Sequence, residues 1–204
     1  MSMAEDSEVA RTIASYDRRA ADYAAHTASF RPERALTAFA ACVPAGGRVL
    51  DAGSGPGRDC ATLAELGFRP VALDLSHGML VEGRRRGLTA PAAQADLRRL
   101  PFADGCFSGV WASASLLHLP RPDLVPTLRE FARIIGRGCL YLALKEGEGE
   151  AWQERLIEPR FFRYYQMDAV EAAVREAGFE VIARWSGLPG PDGYPWLNLI
   201  ALIS

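Results

Sequence analysis

Short apolar runs and amphipathic stretches alternate along most of this chain. Runs of strand length stand at 48–53, 70–74, 92–96, 107–113 and 139–144. After the first run, Ala61, Leu63, Ala64 and Leu66 keep helical spacing, and helical patterns return from Ser76 to about residue 86 and over about 122–135. Near-continuous apolar strands separated by helices predict a doubly wound α/β sheet. Ser76 reads as a helix N-cap, Gly136 as a helix stop, and Gly178 as the stop of a helix over 167–177. Strands at 179–186 and 196–203 are joined by the Pro/Gly-rich turn 188–193. A parallel crossover needs about a dozen residues or more, so this last pair must be antiparallel. Residues 8–29 form an amphipathic helix or helix pair outside the sheet, placed to act as a lid.

The first strand runs into the most informative stretch, Gly47-Arg-Val-Leu-Asp51-Ala-Gly53-Ser54-Gly55-Pro-Gly57-Arg58. Strand, glycine turn and helix in direct succession form a corner that lets a ligand approach the backbone. A dinucleotide fingerprint needs glycine or alanine where Arg58 stands, and the Gly-Lys-Ser/Thr of a phosphate loop is absent. Asp51-x-Gly53-x-Gly55-x-Gly57 at a strand end closely resembles motif I of the class I S-adenosylmethionine-dependent methyltransferases. The resemblance spans about residues 10–203 and is specific on the cofactor side. It implies a Rossmann-like seven-stranded sheet of order 3-2-1-4-5-7-6, with the last strand antiparallel, and S-adenosylmethionine as cofactor.

Cofactor contacts follow from the resemblance at each strand end, where ligands of open α/β sheets bind. Asp51 and the turn through Gly53, Ser54, Gly55 and Gly57 are expected at the methionine portion, Asp51 acting through the ammonium or a water. Asp74 ends the second strand, twenty-three positions after Asp51, and is expected to accept from the ribose hydroxyls. Leu75 and Met79 are candidates for one adenine wall, with Asp96 and Leu97 at the adenine amine and ring. Ala112 and Ser113 end the fourth strand under the methionine chain. Tyr16 and Tyr23, seven apart, share a face of the N-terminal helix in a Tyr-Asp-x-x-Ala-x-x-Tyr pattern. That pattern resembles the lid helix of small-molecule members, with Tyr23 near the cofactor carboxylate and Tyr16 facing the acceptor, although plain packing accounts for the spacing equally well.

The acceptor side is less specific. His118, in Ser115-Leu-Leu-His118-Leu, is the candidate general base, because imidazole titrates near neutral pH; a histidine in an apolar run also packs well against backbone. Lys145 opens the acidic stretch to Glu150 and reads either as a solvated loop or as a substrate contact. Tyr194, Trp196 and Asn198 begin the antiparallel last strand, so they meet the carboxyl ends of the others, and Trp196 is a substrate-contact candidate. Phe161, Phe162, Tyr164 and Tyr165 read as core before they read as pocket wall.

Composition narrows the remaining choices. The 204 residues carry a net charge of −2 and are 49% hydrophobic, which fits one methyltransferase domain over 1–204. No basic face suggests nucleic acid, and no long apolar run suggests a membrane span. The four cysteines are scattered and lack metal-ligand spacing, so no metal is expected and a reducing cytoplasm is. Arg84-Arg85-Arg86 reads as cations closing a helix against its dipole. The expected function is methyl transfer to an O, N or C atom of a small metabolite by a monomer or homodimer. An RNA or protein methyltransferase, or a protein of this fold that binds the cofactor without transfer, is the alternative.

Overall fold

The computed structural model describes residues 3–154, 158–188 and 193–203. Seven strands form the main sheet: β1 (Arg48–Ala52), β2 (Arg69–Asp74), β3 (Ala92–Gln94), β4 (Gly109–Ser113), β5 (Gly138–Lys145), β8 (Glu180–Ser186) and β9 (Trp196–Ile203). Their order is β3-β2-β1-β4-β5-β9-β8, which is the order the resemblance implied. The first five run parallel, and β9 runs antiparallel to β5 from Gly138↔Ile203 to Lys145↔Trp196. β8 pairs antiparallel with β9, with an irregularity between Val181 and Ala183. Part of the turn expected to join them, 189–192, lies outside the described residues.

Burial on both faces explains the continuous apolar strands. Val49 packs on one side with Leu36 and Phe39 of α3 (Glu33–Ala40) and Leu63 of α4 (Arg58–Glu65). Leu50 belongs to the cluster on the other side, which also takes in Leu128 and Phe131 of α6 (Leu124–Ile135) and Val170 and Val174 of α7 (Met167–Glu176). The expected helix after Ser76 is α5 (His77–Arg85), and the Ser76 hydroxyl accepts from the Met79 N–H at 3.2 Å. Arg84 and Arg85 fill its last turn, as the dipole reading required. A two-stranded hairpin, β6 (Glu150–Gln153) with β7 (Arg160–Arg163), stands apart from the main sheet. It was not legible as strand, and Phe161 and Phe162 lie on it.

Lys145 departs from the loop expected of it: it is the last residue of β5 and is 3% exposed. It pairs in register with Trp196 of β9, which carries the strand past the apolar run.

The expected lid is two helices, α1 (Met3–Arg18) and α2 (Ala20–Thr27). Polar bonds fix α1 at two places. On β7, Thr12 Oγ1 accepts from the Phe161 N–H at 3.0 Å, and Arg163 donates to Glu8 at 2.6 Å. On α5, Asp17 Oδ1 accepts from the Ser76 hydroxyl at 2.6 Å and from the Gly78 N–H at 2.8 Å. A Cβ at Gly78 would stand 2.6 Å from the Asp17 carbonyl oxygen, so glycine is what admits α1 this closely. Asp17 thus caps α5 from another helix. Removing it in Asp17→Ala should cost about 0.5–2 kcal/mol, the usual worth of an N-cap, read as a lower urea midpoint. An unchanged midpoint would mean that the contact adds nothing to the folded state.

Candidate active site

Two cavities meet at the carboxyl ends of β1 and β4. The smaller, about 90 Å³, is lined by Asp74, Leu75, Met79, Asp96 and Leu97, with Ser115 and Leu119 nearby. The larger, about 770 Å³, lies between the lid, the segment ahead of α3, and the sheet face that carries Tyr141, Lys145, Trp196 and Asn198. Tyr16, Tyr23, Gly53, Gly55, Ser113 and His118 line both, so they mark the junction. Ser54 lines the larger cavity. Among the expected site residues, Asp51, Gly57 and Ala112 line neither; Asp51 and Ala112 are buried beneath the turn and the β4 end.

The glycine turn is shaped by contact as well as by conformation. Gly53 has φ +82°, and a Cβ there would stand 2.3 Å from the Ser115 Cβ; no other residue fits both conditions. Asp74 then ties the turn to the next corner. It accepts from the Gly55 N–H at 2.7 Å and from the Ser76 N–H at 2.8 Å. Burial pushes its carboxyl up to about 6, against those two N–H bonds, and the nearby Asp17 charge adds to the rise.

Asp51 is 2% exposed, and its Oδ2 has no partner among the described residues. Burial, with the Asp59 charge adding, holds this carboxyl well above the usual range. Asp96 is different: both of its oxygens accept from Arg98, which also reaches Asp123 at 3.1 Å. Burial works to raise Asp96, and the Arg98 bonds outweigh it and hold the carboxyl low.

At the junction His118 Nδ1 lies 2.7 Å from the Phe161 carbonyl oxygen. A carbonyl only accepts, so Nδ1 carries the hydrogen and Nε2 is left as acceptor for the Tyr16 hydroxyl at 2.9 Å. Arg160 in turn donates to the Tyr16 oxygen at 3.3 Å. Burial lowers His118 to about 3, with Arg160 and Arg163 adding to the fall against the Phe161 bond. The imidazole is therefore neutral and both nitrogens are engaged, which is a poor setting for the base expected of it.

Several lining residues had no role in the sequence reading. Arg160 and Trp185 line the larger cavity, and only the tertiary fold brings them there. Asp17 stands inside the Tyr-Asp-x-x-Ala-x-x-Tyr pattern, the one available signal for it. Phe162, expected as core, is 8% exposed and also lines the cavity.

A methyltransferase-domain profile matches residues 49–138. Over 188 residues the chain is 37% identical to malonyl-[acyl-carrier protein] O-methyltransferase of Enterobacter lignolyticus, covering 88% of this chain and 73% of that protein. It is 40% identical over 93 residues to demethylmenaquinone methyltransferase of Beutenbergia cavernae, covering 46% of this chain and 38% of that one. The chain thus spans less than half the length of the demethylmenaquinone enzyme it matches. The structure superposes on Burkholderia thailandensis 1,6-didemethyltoxoflavin-N1-methyltransferase, solved with 1,6-didemethyltoxoflavin and S-adenosylhomocysteine, with a TM-score of 0.78 at 22% identity over 100% of this chain and 91% of that one. The chain belongs to the S-adenosylmethionine-dependent methyltransferases and has their class I fold.

The residues present fit that family's cofactor. The turn at Gly53 presents backbone to the junction, Asp51 Oδ2 and Ser115 Oγ are buried without partners among the described residues, and Asp74 lines the cleft with a carboxylate suited to a diol. A diol donating to Asp74 would need its ionised form, for which protons compete below about pH 6. Affinity for S-adenosylhomocysteine should therefore weaken as pH falls through about 6, and Asp74→Asn should flatten that dependence. A titration series with the same slope in both proteins would place the ribose elsewhere.

Proposed function

We propose that this protein transfers a methyl group from S-adenosylmethionine to an O, N or C atom of a small molecule. The observation that carries the reading is the junction itself: one narrow, acid-bearing cleft opens onto one roomy cavity through Gly53, Ser113, Tyr16 and His118. About 300–1,000 Å³ is the usual size of a small-molecule site, and the larger cavity falls within it. The relatives named for malonyl-[acyl-carrier protein], demethylmenaquinone and 1,6-didemethyltoxoflavin support a small acceptor.

In this reading Asp74 holds the ribose, and Leu75, Met79, Asp96 and Leu97 enclose the adenine. Tyr23, the turn from Gly53 through Ser54 to Gly55, and Ser113 at the β4 end hold the methionine portion, with Asp51, Gly57 and Ala112 supporting them from beneath. When bound, S-adenosylmethionine supplies an electrophilic methyl on a positively charged sulfur. The chain's own part is alignment and the exclusion of water. The lid covers the junction, and a displacement in line with the methyl gains much of its rate from position. Tyr16 faces the acceptor and is held by His118 on one side and Arg160 on the other. His118 is a positioning residue here, and Lys145 with Trp196 contacts the acceptor.

Formation of S-adenosylhomocysteine on adding a small-molecule extract tests the reading; cofactor binding without any such product would leave a binding protein. His118→Ala should lower kcat by less than about a hundredfold. A loss of about 10²–10⁴ with unchanged cofactor affinity would restore it as the base. Lys145→Gln should raise KM with kcat nearly kept, and a fall in kcat alone would contradict its place at the acceptor.

A further inference from the structure

Three cations of the larger cavity lie against aromatic rings. Lys145 lies 4.2 Å over Trp196, Arg34 lies 4.6 Å over Trp185, and Arg160 lies 5.1 Å over Phe162. Lys145 and Arg160 are 3% and 5% exposed, so their charge acts where water screens it little. Among the described residues, the carboxylates lining this cavity are Glu33 and Asp59. Glu33 is paired with Arg31, and Asp59 with Arg58 and the Trp111 indole N–H. Ring faces make flat apolar walls, and the cations stacked on them place positive charge along those walls. A flat apolar molecule with an acidic group satisfies both.

The junction limits which atom can receive the methyl. Its titratable side chains among the described residues are Tyr16, Tyr23 and His118. Burial raises both phenols and lowers the imidazole, whose two nitrogens are already bonded. An alcohol or an ammonium group would arrive with a proton that none of these three groups takes near neutral pH. A carboxylate arrives without one.

Building on the methyltransferase reading of this site, we propose that the acceptor is the carboxylate of a flat, apolar acid and that the product is its methyl ester. A carboxylate oxygen forms the new carbon–oxygen bond as the methyl–sulfur bond breaks, and the electron pair of that bond stays on sulfur. The negative charge of the acid and the positive charge on sulfur disappear together, and no proton moves. Reactants of opposite charge that become neutral gain from a site that has shed their water. A guanidinium holding one carboxylate oxygen leaves the other free for attack in line.

Two probes of nearly equal shape, 2-naphthoate and 2-naphthamide, test the inference. Calorimetry on the purified chain saturated with S-adenosylhomocysteine should show naphthoate bound about tenfold or more tightly, as a charge-assisted bond provides. Arg160→Gln should remove most of the difference; if that variant does not fold, Lys145→Gln serves in the same comparison. The absence of any preference for naphthoate overturns the inference. In a second arm, the methyl group of labelled S-adenosylmethionine is followed into a metabolite extract. Label released as methanol by mild alkali supports an ester, and label that survives alkali as an ether or amine overturns it. A chain that fails to take up S-adenosylhomocysteine at all would instead count against the methyltransferase reading.

Discussion

The Asp74 carboxylate holds three parts of the chain in one arrangement. One oxygen takes the Gly55 N–H of the glycine turn, and the other takes the Ser76 N–H at the head of α5. Ser76 in turn caps α5 and donates to Asp17 of the lid. The turn after β1, the corner after β2 and the lid thus share a single chain of hydrogen bonds. Each link is at least partly buried, where a lost partner costs more than the bond itself contributes in water. Moving any one part disturbs the other two, and all three border the cavities.

Charge is divided between the two cavities. The small cleft has acids at its edge, Asp74 and Asp96, with Asp51 buried beneath the turn; the large cavity has Lys145, Arg160 and Arg34 along its wall. Acids suit a diol, an amine and an ammonium. Cations on aromatic rings suit an apolar body with a negative end. Between them lies a junction of neutral groups, Tyr16, Tyr23 and His118, held neutral by burial. A group that is lost from one side and gained on the other crosses where neither partner's charge is neutralised by the protein.

Much of this was legible in the sequence because it is local. The glycine turn, the Ser76 cap, the parallel strands buried on both faces and the antiparallel last pair follow from residues a few positions apart. The strand order came from the family resemblance, since periodicity carries no information on lateral neighbours. What the pattern hid depends on distant contacts. Asp17 earns its role only where α1 meets α5, across about sixty residues. The β6–β7 hairpin is short and lies outside the sheet, so its strands lack the apolar run that marked the others. Lys145 reads as loop because a lysine ends apolar runs, yet it pairs with Trp196 in the sheet and its Nζ lies over that ring. His118 looked like a base by type and place, but burial keeps it neutral and its two nitrogens are bonded to Phe161 and Tyr16, both far off in sequence.

The shared hydrogen bonds make lid, glycine turn and α5 head a single unit bordering the small cleft. Hydrogen exchange over residues 3–27 and 76–80, measured with and without S-adenosylhomocysteine, tests it most directly. Both segments should slow together on binding, because a ligand in the cleft touches the elements that border it and Asp17 joins them. Slowing at 76–80 with the lid unchanged, or no change in either, would contradict it.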